Sequence, residues 1–262
     1  MDLGLEGKAA LVAASSKGLG RAVAAQLAAE GASVMLSSRD EARLVETAAG
    51  IRQASNASVE YCAADLTREE DIRRLVEETV GRFGGLDALV TNSGGPPAGG
   101  FDDLGEDDWR HAFELNLMSL VRLIRNSLPH MRERGGGRIV IIASSSIKQP
   151  IEHLTLSNTF RAGIAGLAKS LSSELASDGV LINTLGPGRI STDRSASLDG
   201  ARADALGVPV EEVRAEFASR IPLGRYGTPA EFAKVAAFLA SPANSYVTGQ
   251  ALLVDGGLVR AL

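Results

Sequence analysis

The sequence predicts a doubly wound α/β fold: a seven-stranded parallel sheet flanked by helices, in a single domain spanning residues 1–262. Short aliphatic runs alternate with longer segments of helical period along the whole chain. Such alternation requires crossover connections, and right-handed crossovers place helices on both faces of a parallel sheet. Apolar residues make up 45% of the chain and aromatic residues only 4%, which is typical of an aliphatic core around a buried sheet.

The predicted strands are short aliphatic runs bounded by glycine-rich or polar segments, as buried parallel strands usually are. They are 9–14, 34–37, 59–63, 88–91, 138–142, 180–185 and 251–254. Helical period predicts helices between them, each ending near Gly, Pro or a polar cluster. These helices include 19–30, 69–83, 106–131, 158–177 and 229–239.

The loosest stretch of the chain is 189–208, which is rich in Ser, Asp, Arg and Gly. It follows the sixth predicted strand, outside the carboxyl edge of the sheet, where ligands bind in open α/β folds. We therefore predict a mobile loop that closes over a ligand as a lid. An ordinary surface loop is the alternative.

Composition excludes several classes of protein. With a formal charge of -5, the chain lacks the positive electrostatic field by which nucleic-acid-binding proteins attract phosphates. Cys62 has no second cysteine to pair with, and three scattered histidines offer no metal-ligand spacing. No apolar run approaches the roughly 20 residues of a membrane span, and Asp2 and Glu6 interrupt the N-terminal segment where a signal peptide would be apolar. A cytoplasmic protein without metal, disulfide, nucleic acid or membrane contacts is expected.

A glycine-containing turn links the first predicted strand to the helix at 19–30. Its residues are Ala14, Ser15, Ser16, Lys17, Gly18, Leu19 and Gly20. Glycines at such a turn let the backbone approach a pyrophosphate, and the helix N-terminus offers unpaired N–H groups and a positive dipole end. The placement predicts the phosphate-binding turn of a Rossmann-type dinucleotide fold. A tight turn that binds nothing is the alternative.

The residues after the second predicted strand indicate which dinucleotide is bound. A carboxylate at this position accepts the ribose hydroxyl of NAD, whereas an Arg accommodates the 2′-phosphate of NADP. Here Ser38 is followed by Arg39, and Lys17 in the turn can supply a second cation. NADP(H) is therefore predicted over NAD(H). Two alternatives remain open: Lys17 and Arg39 are solvated surface cations, or Asp40 is the ribose acceptor.

Together with later segments, this turn resembles the short-chain dehydrogenase/reductase family over essentially the whole chain. The family's T-G-x-x-x-G-x-G turn corresponds to residues 13–20. The later matching segments are Asp65-Leu66, Thr91-Asn92-Ser93-Gly94-Gly95, Leu185-Gly186-Pro187-Gly188-Arg189-Ile190-Ser191-Thr192 and Val254-Asp255-Gly256-Gly257. The resemblance implies a cofactor site formed by Ala14, Ser16, Lys17, Gly18, Leu19, Gly20, Ser38, Arg39, Asp65, Leu66, Asn92, Ser93, Gly94, Arg161, Pro187, Gly188, Ile190 and Thr192.

Two of these residues carry expectations about the backbone. Ala14 stands where the family has its first glycine, so its Cβ costs little if φ is negative and considerably more if φ is positive. Asn92 follows the fourth predicted strand and is expected to tie neighbouring strands together through its amide.

The resemblance also implies where proton transfer would occur. In the family, a Tyr-x-x-x-Lys pair on one helix face carries it, assisted by a Ser and an Asn. Matching residues 161–171 to the family places Arg161 at the Lys position and Ser157 at the Tyr position. Ser144 and Asn116 match the assisting Ser and Asn in spacing. The implied catalytic centre is therefore Ser144, Asn116, Ser157 and Arg161.

Ser157 and Arg161 are not equivalent to Tyr and Lys. An aliphatic hydroxyl is a much weaker acid than a phenol, whose pKa is about 10, and Ser is shorter by a ring. Arg161 keeps a permanent charge and can bind ribose hydroxyls bidentately, but it does not shuttle protons. Cofactor binding is therefore expected to survive where proton transfer does not.

Other residues compete for these roles. Ser145 and Ser146 are alternatives to Ser144, and all three hydroxyls are able simply to satisfy a turn. His153 is an alternative acid, because an unperturbed imidazole titrates near neutrality. A loop His is more often plain surface, and Lys148 has no stronger support.

Three functions are weighed. The first is an NADP-dependent oxidoreductase acting on a carbonyl or alcohol, resembling 3-oxoacyl-carrier-protein reductases. The second is a catalytically impaired nucleotide-binding sensor or scaffold, and a fold that serves only assembly is a third. The resemblance further implies a homo-oligomer, dimer or tetramer, in which helices 106–131 and 158–177 pair. The segments 96–103, 147–155 and 189–208 would contact the small-molecule substrate.

Overall fold

The computed structural model of the protein, which describes residues 2–261, contains one parallel sheet of seven strands. The strands are β1 (Ala9–Val12), β2 (Ser33–Ser38), β3 (Val59–Ala63), β4 (Ala88–Thr91), β5 (Gly137–Ile142), β6 (Val180–Pro187) and β7 (Ala251–Val254). Their order is β3-β2-β1-β4-β5-β6-β7, and every neighbouring pair is parallel. The order reverses between β1 and β4, which opens a crevice at the carboxyl edge. The doubly wound α/β fold is therefore confirmed.

Helices connect the strands and cover both faces of the sheet. They are α1 (Gly18–Ala29), α2 (Glu41–Ser55), α3 (Glu69–Phe83), α4 (Glu106–Ala112), α5 (Ser119–Glu133), α6 (Thr155–Glu174), α7 (Asp193–Leu206), α8 (Val210–Arg220) and α9 (Pro229–Leu239). A π-helical segment, Phe113–Met118, joins α4 to α5. The predicted helix at 106–131 is thus helical throughout but changes its hydrogen-bond pattern in the middle.

The core consists of two aliphatic layers, one on each face of the sheet. Successive side chains of a strand point to opposite faces, so β1 contributes Val12 to one layer and Leu11 to the other. Val12 packs in the layer formed with α1, α2 and α9, where Phe232 is the largest buried side chain. Leu11 packs in the layer formed with α3, α5 and α6. Burial on both faces explains why the central strands are aliphatic throughout.

The segment 189–208 differs from the prediction. Most of it is α7, and α8 follows directly, so this part of the chain is a helical pair and not an irregular loop. Thr192 begins α7, because its Oγ1 accepts a hydrogen bond from the backbone N–H of Ser195 (3.3 Å). The capping pattern Thr192-x-x-Ser195 is a helix-start signal that the polar composition obscured.

The structure was also searched for membrane-spanning helices and for metal sites. Across the described part of the chain, no helix combines the length and the apolar character that crossing a membrane requires. Residues 2–261 also contain no group of three or more His, Cys, Asp or Glu side chains placed to hold a metal ion.

Candidate active site

The turn between β1 and α1 brings the backbone into close contact with itself. Ala14 has a φ of 47° and Gly18 a φ of 58°, both in the left-handed region. A Cβ on Gly20 would lie 2.4 Å from the carbonyl oxygen of Ala14, so only glycine fits there. Asn92, at the end of β4, donates from Nδ2 to the same carbonyl (3.1 Å). The tie expected of Asn92 therefore holds the turn in place.

The N-terminus of α1 is free of side-chain caps. Its N-cap residue, Lys17, makes no capping hydrogen bond, and no acidic residue occupies the first turn. The backbone N–H groups of the first turn and the positive end of the helix dipole thus point at the crevice without a carboxylate to neutralise them. This arrangement fits the pyrophosphate of a dinucleotide.

Hydroxyl groups and a cation surround the end of β2. Ser16 Oγ donates to Ser38 Oγ (3.0 Å), and Ser38 Oγ also accepts from the backbone N–H of Asp40 (3.2 Å). Arg39 is exposed beside them. The carboxylate of Asp40 caps α2 by accepting from the N–H of Arg43 (3.0 Å), so that carboxylate is already engaged. This geometry favours Ser38 and Arg39 over Asp40 as the groups that meet the ribose end of a nucleotide.

Asp65 stands at the end of β3, on the same edge. Its Oδ1 accepts from the backbone N–H (2.9 Å) and the hydroxyl (2.8 Å) of Thr67. The backbone hydrogen bond is the main cause that lowers the pKa of Asp65, and it outweighs partial burial. Asp65 is therefore ionised and oriented at neutral pH. The neighbouring Leu66 is buried in the core.

Four further predicted cofactor residues lie at or just after the end of β6. Pro187 is the last residue of the strand and Gly188 follows it. Gly188 passes so close to the loop after β7 that a Cβ would lie 2.5 Å from the Cβ of Asp255. Ile190 is buried, and the side chain of Thr192 caps α7. These residues therefore lie at the carboxyl edge of the sheet, on the β6 side.

Asn116 lies in the π-helical segment, a feature often found at functional sites. Its Nδ2 donates to Ser93 Oγ (2.8 Å) and to the carbonyl oxygen of Gly94 (2.9 Å). Its Oδ1 is buried without a hydrogen-bond partner among the described residues, and so is the hydroxyl of Thr91 at the end of β4. The site therefore presents unused polar atoms beside the β4 segment that the resemblance assigns to the cofactor.

Arg161 lies on α6, with 6% of its surface exposed. Its Nη1 donates to the carbonyl oxygen of Ile142 at the end of β5 (3.0 Å). Burial lowers the pKa of Arg161 to about 10, and no carboxylate in the described part of the chain contributes to this shift. Arg161 is thus a buried cation at neutral pH whose other N–H groups are available. Such a group favours a ligand rich in hydrogen-bond acceptors.

The residues of the implied catalytic centre have different surroundings. Asn116 and Arg161 line one small cavity with Thr91, Asn92 and Ser93, and Ser144 and Ser157 are not among its lining residues. Ser144 Oγ accepts from the backbone N–H of Ser146 (3.1 Å) and so caps a short turn. Ser157 is buried in the first turn of α6.

His153 is exposed, and its backbone lies in the left-handed region, with a φ of 56°. Its carbonyl oxygen accepts from the N–H of Gly99 (2.7 Å). This contact joins the segment before α6 to the segment after β4. The side chain remains on the surface, as expected of an ordinary loop histidine.

Sequence reasoning gave no individual role to three residues near the crevice. Asp193, the first residue of α7, lies 3.8 Å from Lys17, measured from Oδ2 to Nζ. Arg194 donates from Nη2 to the carbonyl oxygen of Pro96 (3.0 Å). Thr91 contributes a buried hydroxyl that has no partner in the described part of the chain. The capping pattern of Thr192 could have indicated that a helix begins here, but not which residues it would meet.

With this geometry established, comparison with known proteins identifies the family. Residues 13–259 match a family model described as Enoyl-(Acyl carrier protein) reductase. The chain is 34% identical over 259 residues to 3-oxoacyl-(acyl-carrier-protein) reductase FabG of Aquifex aeolicus, covering 98% of this chain and 100% of that protein. It is 36% identical over 261 residues to Dehydrogenase/reductase SDR family member 4 of Bos taurus, covering 98% and 89%.

A solved structure leads to the same family. L-Sorbose reductase from Gluconobacter frateurii, complexed with NADPH and L-sorbose, superposes with a TM-score of 0.95 at 32% identity, and all of both chains is covered. The two sequence relatives and the solved structure therefore indicate the same family, and each comparison covers at least 98% of this chain. The protein belongs to the short-chain dehydrogenase/reductase family, a family of oxidoreductases.

Proposed function

We propose that this protein is an NADP(H)-dependent oxidoreductase that transfers hydride between the nicotinamide and a carbonyl or alcohol substrate of the 3-oxoacyl type. The observation that carries the proposal is the buried Arg161 beside Asn116, on the same sheet edge as the uncapped turn of α1. The similarity to a 3-oxoacyl reductase supports the substrate class, and the NADPH in the sorbose reductase structure supports the cofactor.

The chain's own residues would hold the cofactor along the crevice. The N–H groups at the start of α1 bind the pyrophosphate, because they are unpaired and lie at the positive end of the helix. Ser16, Ser38, Arg39 and Lys17 meet the 2′-phosphate, and Arg161 binds the ribose hydroxyls at the nicotinamide end. When bound, the nicotinamide supplies or accepts the hydride.

The centre for proton transfer is atypical in this proposal. Ser157 carries a weakly acidic hydroxyl and Arg161 a permanent charge, so neither group gives up a proton at neutral pH. Arg161 instead contributes fixed positive charge near a developing alkoxide, and water supplies the proton. Losing a general acid typically costs about 10² to 10⁴-fold in rate, so turnover is expected to be slow.

The cofactor assignment is tested by titrating the purified protein with NADPH and, separately, NADH, following fluorescence or heat. We expect saturable binding with NADPH clearly tighter. Arg39→Ala should weaken the binding of NADPH by about tenfold, because one charge-assisted contact is lost, and should leave the binding of NADH nearly unchanged. Arg82→Ala is the matched control, since Arg82 is exposed in the last turn of α3, at the opposite edge of the sheet. Equal weakening of both nucleotides would refute the assignment of Arg39.

The atypical centre is tested by restoring a phenol and an amine. Ser157→Tyr combined with Arg161→Lys should raise kcat for a 3-oxoacyl thioester with NADPH by on the order of 10²-fold. Arg161→Lys alone should not, because it restores no acid. If the parent already turns over at a rate of hundreds per second, the proposed absence of a proton donor is wrong.

A second candidate function is a nucleotide-binding sensor or scaffold without turnover. The presence of Ser157 and Arg161 where the family carries its Tyr and Lys favours it, because neither side chain donates a proton readily. This candidate gains support if NADPH binds but no carbonyl compound is reduced by the parent. Turnover with any carbonyl substrate excludes it.

We also propose that the whole chain forms one cytoplasmic domain that assembles as a homo-oligomer. Phe113 is 40% exposed and packs against Phe160 with ring centroids 6.3 Å apart, so an apolar surface spans the π-helical segment and α6. Light scattering should give two or four times the chain mass of 27.3 kDa. Phe113→Glu should lower that mass, whereas a monomeric parent would contradict the proposal.

A further inference from the structure

The ion pair between Lys17 and Asp193 connects two different walls of the crevice. Lys17 lies in the turn between β1 and α1, and Asp193 opens α7. The distance from Nζ to Oδ2 is 3.8 Å, and the two side chains are 58% and 76% exposed. The pair is therefore a solvent-accessible contact that a ligand in the crevice can rearrange.

The position of Asp193 near Lys17 is set by the start of α7. Asp193 lies in the first turn of α7, where the helix dipole favours a carboxylate. The next residue, Arg194, donates to the carbonyl oxygen of Pro96 (3.0 Å) and so ties the start of α7 to the segment after β4. Asp193 therefore stays near Lys17 even when their direct contact is broken.

We propose that Asp193 is a specificity-determining residue that competes with the 2′-phosphate for Lys17 and so lowers the preference for NADP(H) over NAD(H). The inference rests on the proposed function, because it takes Lys17 as one of the cations that meet the 2′-phosphate. The ammonium of Lys17 is a compact point charge, so binding the 2′-phosphate weakens its interaction with the carboxylate of Asp193.

The competition affects the two cofactors differently. A nucleotide with a 2′-phosphate must draw Lys17 away from Asp193, whereas a nucleotide without that phosphate leaves the pair intact. An exposed pair of this kind contributes about 0.2–1 kcal/mol, which corresponds to a factor of roughly 1.4 to 5 in affinity. The expected effect is thus modest but measurable by direct binding.

The test measures dissociation constants of 2′,5′-ADP, 5′-ADP, NADPH and NADH for the parent, Asp193→Asn, Lys17→Met and the double variant. Asp193→Asn should tighten 2′,5′-ADP and NADPH about two- to fivefold and change 5′-ADP and NADH much less. In the Lys17→Met background, Asp193→Asn should give the phosphate-bearing ligands no extra gain. The effect should shrink in about 1 M salt, where charges are screened beyond roughly 3 Å. Asp204→Asn, an exposed change in the last turn of α7, is the control.

The outcomes separate this inference from the proposed function. If the parent prefers NADPH but Asp193→Asn leaves that preference unchanged, the competition is wrong and the cofactor assignment stands. The competition is also wrong if the gain persists without Lys17. If the parent binds 5′-ADP as tightly as 2′,5′-ADP and Asp193→Asn does not change this, both the NADP(H) assignment and the proposed competition are wrong.

Discussion

Ala14 adopts a left-handed backbone conformation, with a φ of 47°, that its Cβ opposes. The conformation is imposed by its surroundings: Asn92 binds the carbonyl oxygen of Ala14, and Gly20 packs against the same atom. The turn therefore holds strain where the pyrophosphate is expected to bind, and tertiary contacts maintain it.

Replacing Ala14 by glycine should relieve this strain. A left-handed non-glycine residue costs about 1–2 kcal/mol. Glycine also gives the unfolded chain more conformational freedom, which lowers the free energy of unfolding by roughly 0.4–1 kcal/mol. We expect Ala14→Gly to raise the free energy of unfolding by about 0.5–1 kcal/mol, measured by urea denaturation. Ala13→Gly is the control: Ala13 is buried without a positive φ, so that variant should be less stable. A loss of stability in Ala14→Gly would show that the turn is not strained.

At the scale of elements, one buried carboxylate anchors the helical pair α7 and α8. Asp199 on α7 is fully buried and accepts from Arg189 Nη1 (2.8 Å) and Tyr226 Oη (3.1 Å). The guanidinium of Arg189 also lies over the ring of Phe217 on α8, 3.5 Å from its centroid. Burial, with the Asp199 carboxylate adding to it, raises the pKa of Tyr226 to about 12, so its hydroxyl stays a donor. This network fixes α7 over the crevice.

Removing that carboxylate should loosen the helical pair without unfolding the sheet. Asp199→Ala leaves Arg189 without its counter-charge, and breaking a buried ion pair costs about 3–5 kcal/mol. We expect faster amide exchange across 193–220, while the central strands remain protected. Asp204→Asn, an exposed change on the same helix, should leave the exchange pattern unaltered. Unchanged exchange in Asp199→Ala would mean that apolar packing alone holds α7.

At the scale of the whole molecule, Asp87 joins several elements at the amino edge of the sheet. Its carboxylate accepts from the N–H of Ala9 (2.9 Å), from Arg134 Nη2 (3.2 Å) and from Lys8 Nζ (3.3 Å). Burial alone would raise the pKa of Asp87, but these donors outweigh it and hold the pKa below its ordinary value of 3.8. The start of β1, the start of β4 and the end of α5 are thus linked through one ionised group.

This linkage predicts how stability depends on pH. Because the folded-state pKa of Asp87 lies below the unfolded value, its stabilising effect is present above pH 3.8 and is lost as the pH falls through the lower folded-state pKa. Asp87→Asn should therefore be less stable than the parent at pH 7, by about 2 kcal/mol in urea unfolding. The difference should narrow at pH 3 and below. Asp107→Asn, at a fully exposed site, should show no such difference at either pH.

Much of the architecture could be predicted from the sequence, because it depends on patterns between neighbouring residues. Alternating aliphatic runs and helical segments determined a parallel, doubly wound sheet, and Gly18 and Gly20 marked the turn that faces the crevice. The helix α7 was missed, since its start depends on the capping pair Thr192 and Ser195 within a polar segment. The π-helical segment around Asn116 was missed as well, because its apolar period resembles that of an ordinary helix.

By itself, the sequence determined the class of fold, the order of its elements and the sheet edge where a nucleotide would bind, since spacing along the chain encodes all three. Only the tertiary structure decided that Ala14 has a positive φ, that Arg161 is buried with no carboxylate among the described residues shifting its pKa, and that Lys17 lies beside Asp193. The physical reason is that burial, backbone strain and ion pairing depend on segments far apart in the chain, which meet only after the sheet has assembled.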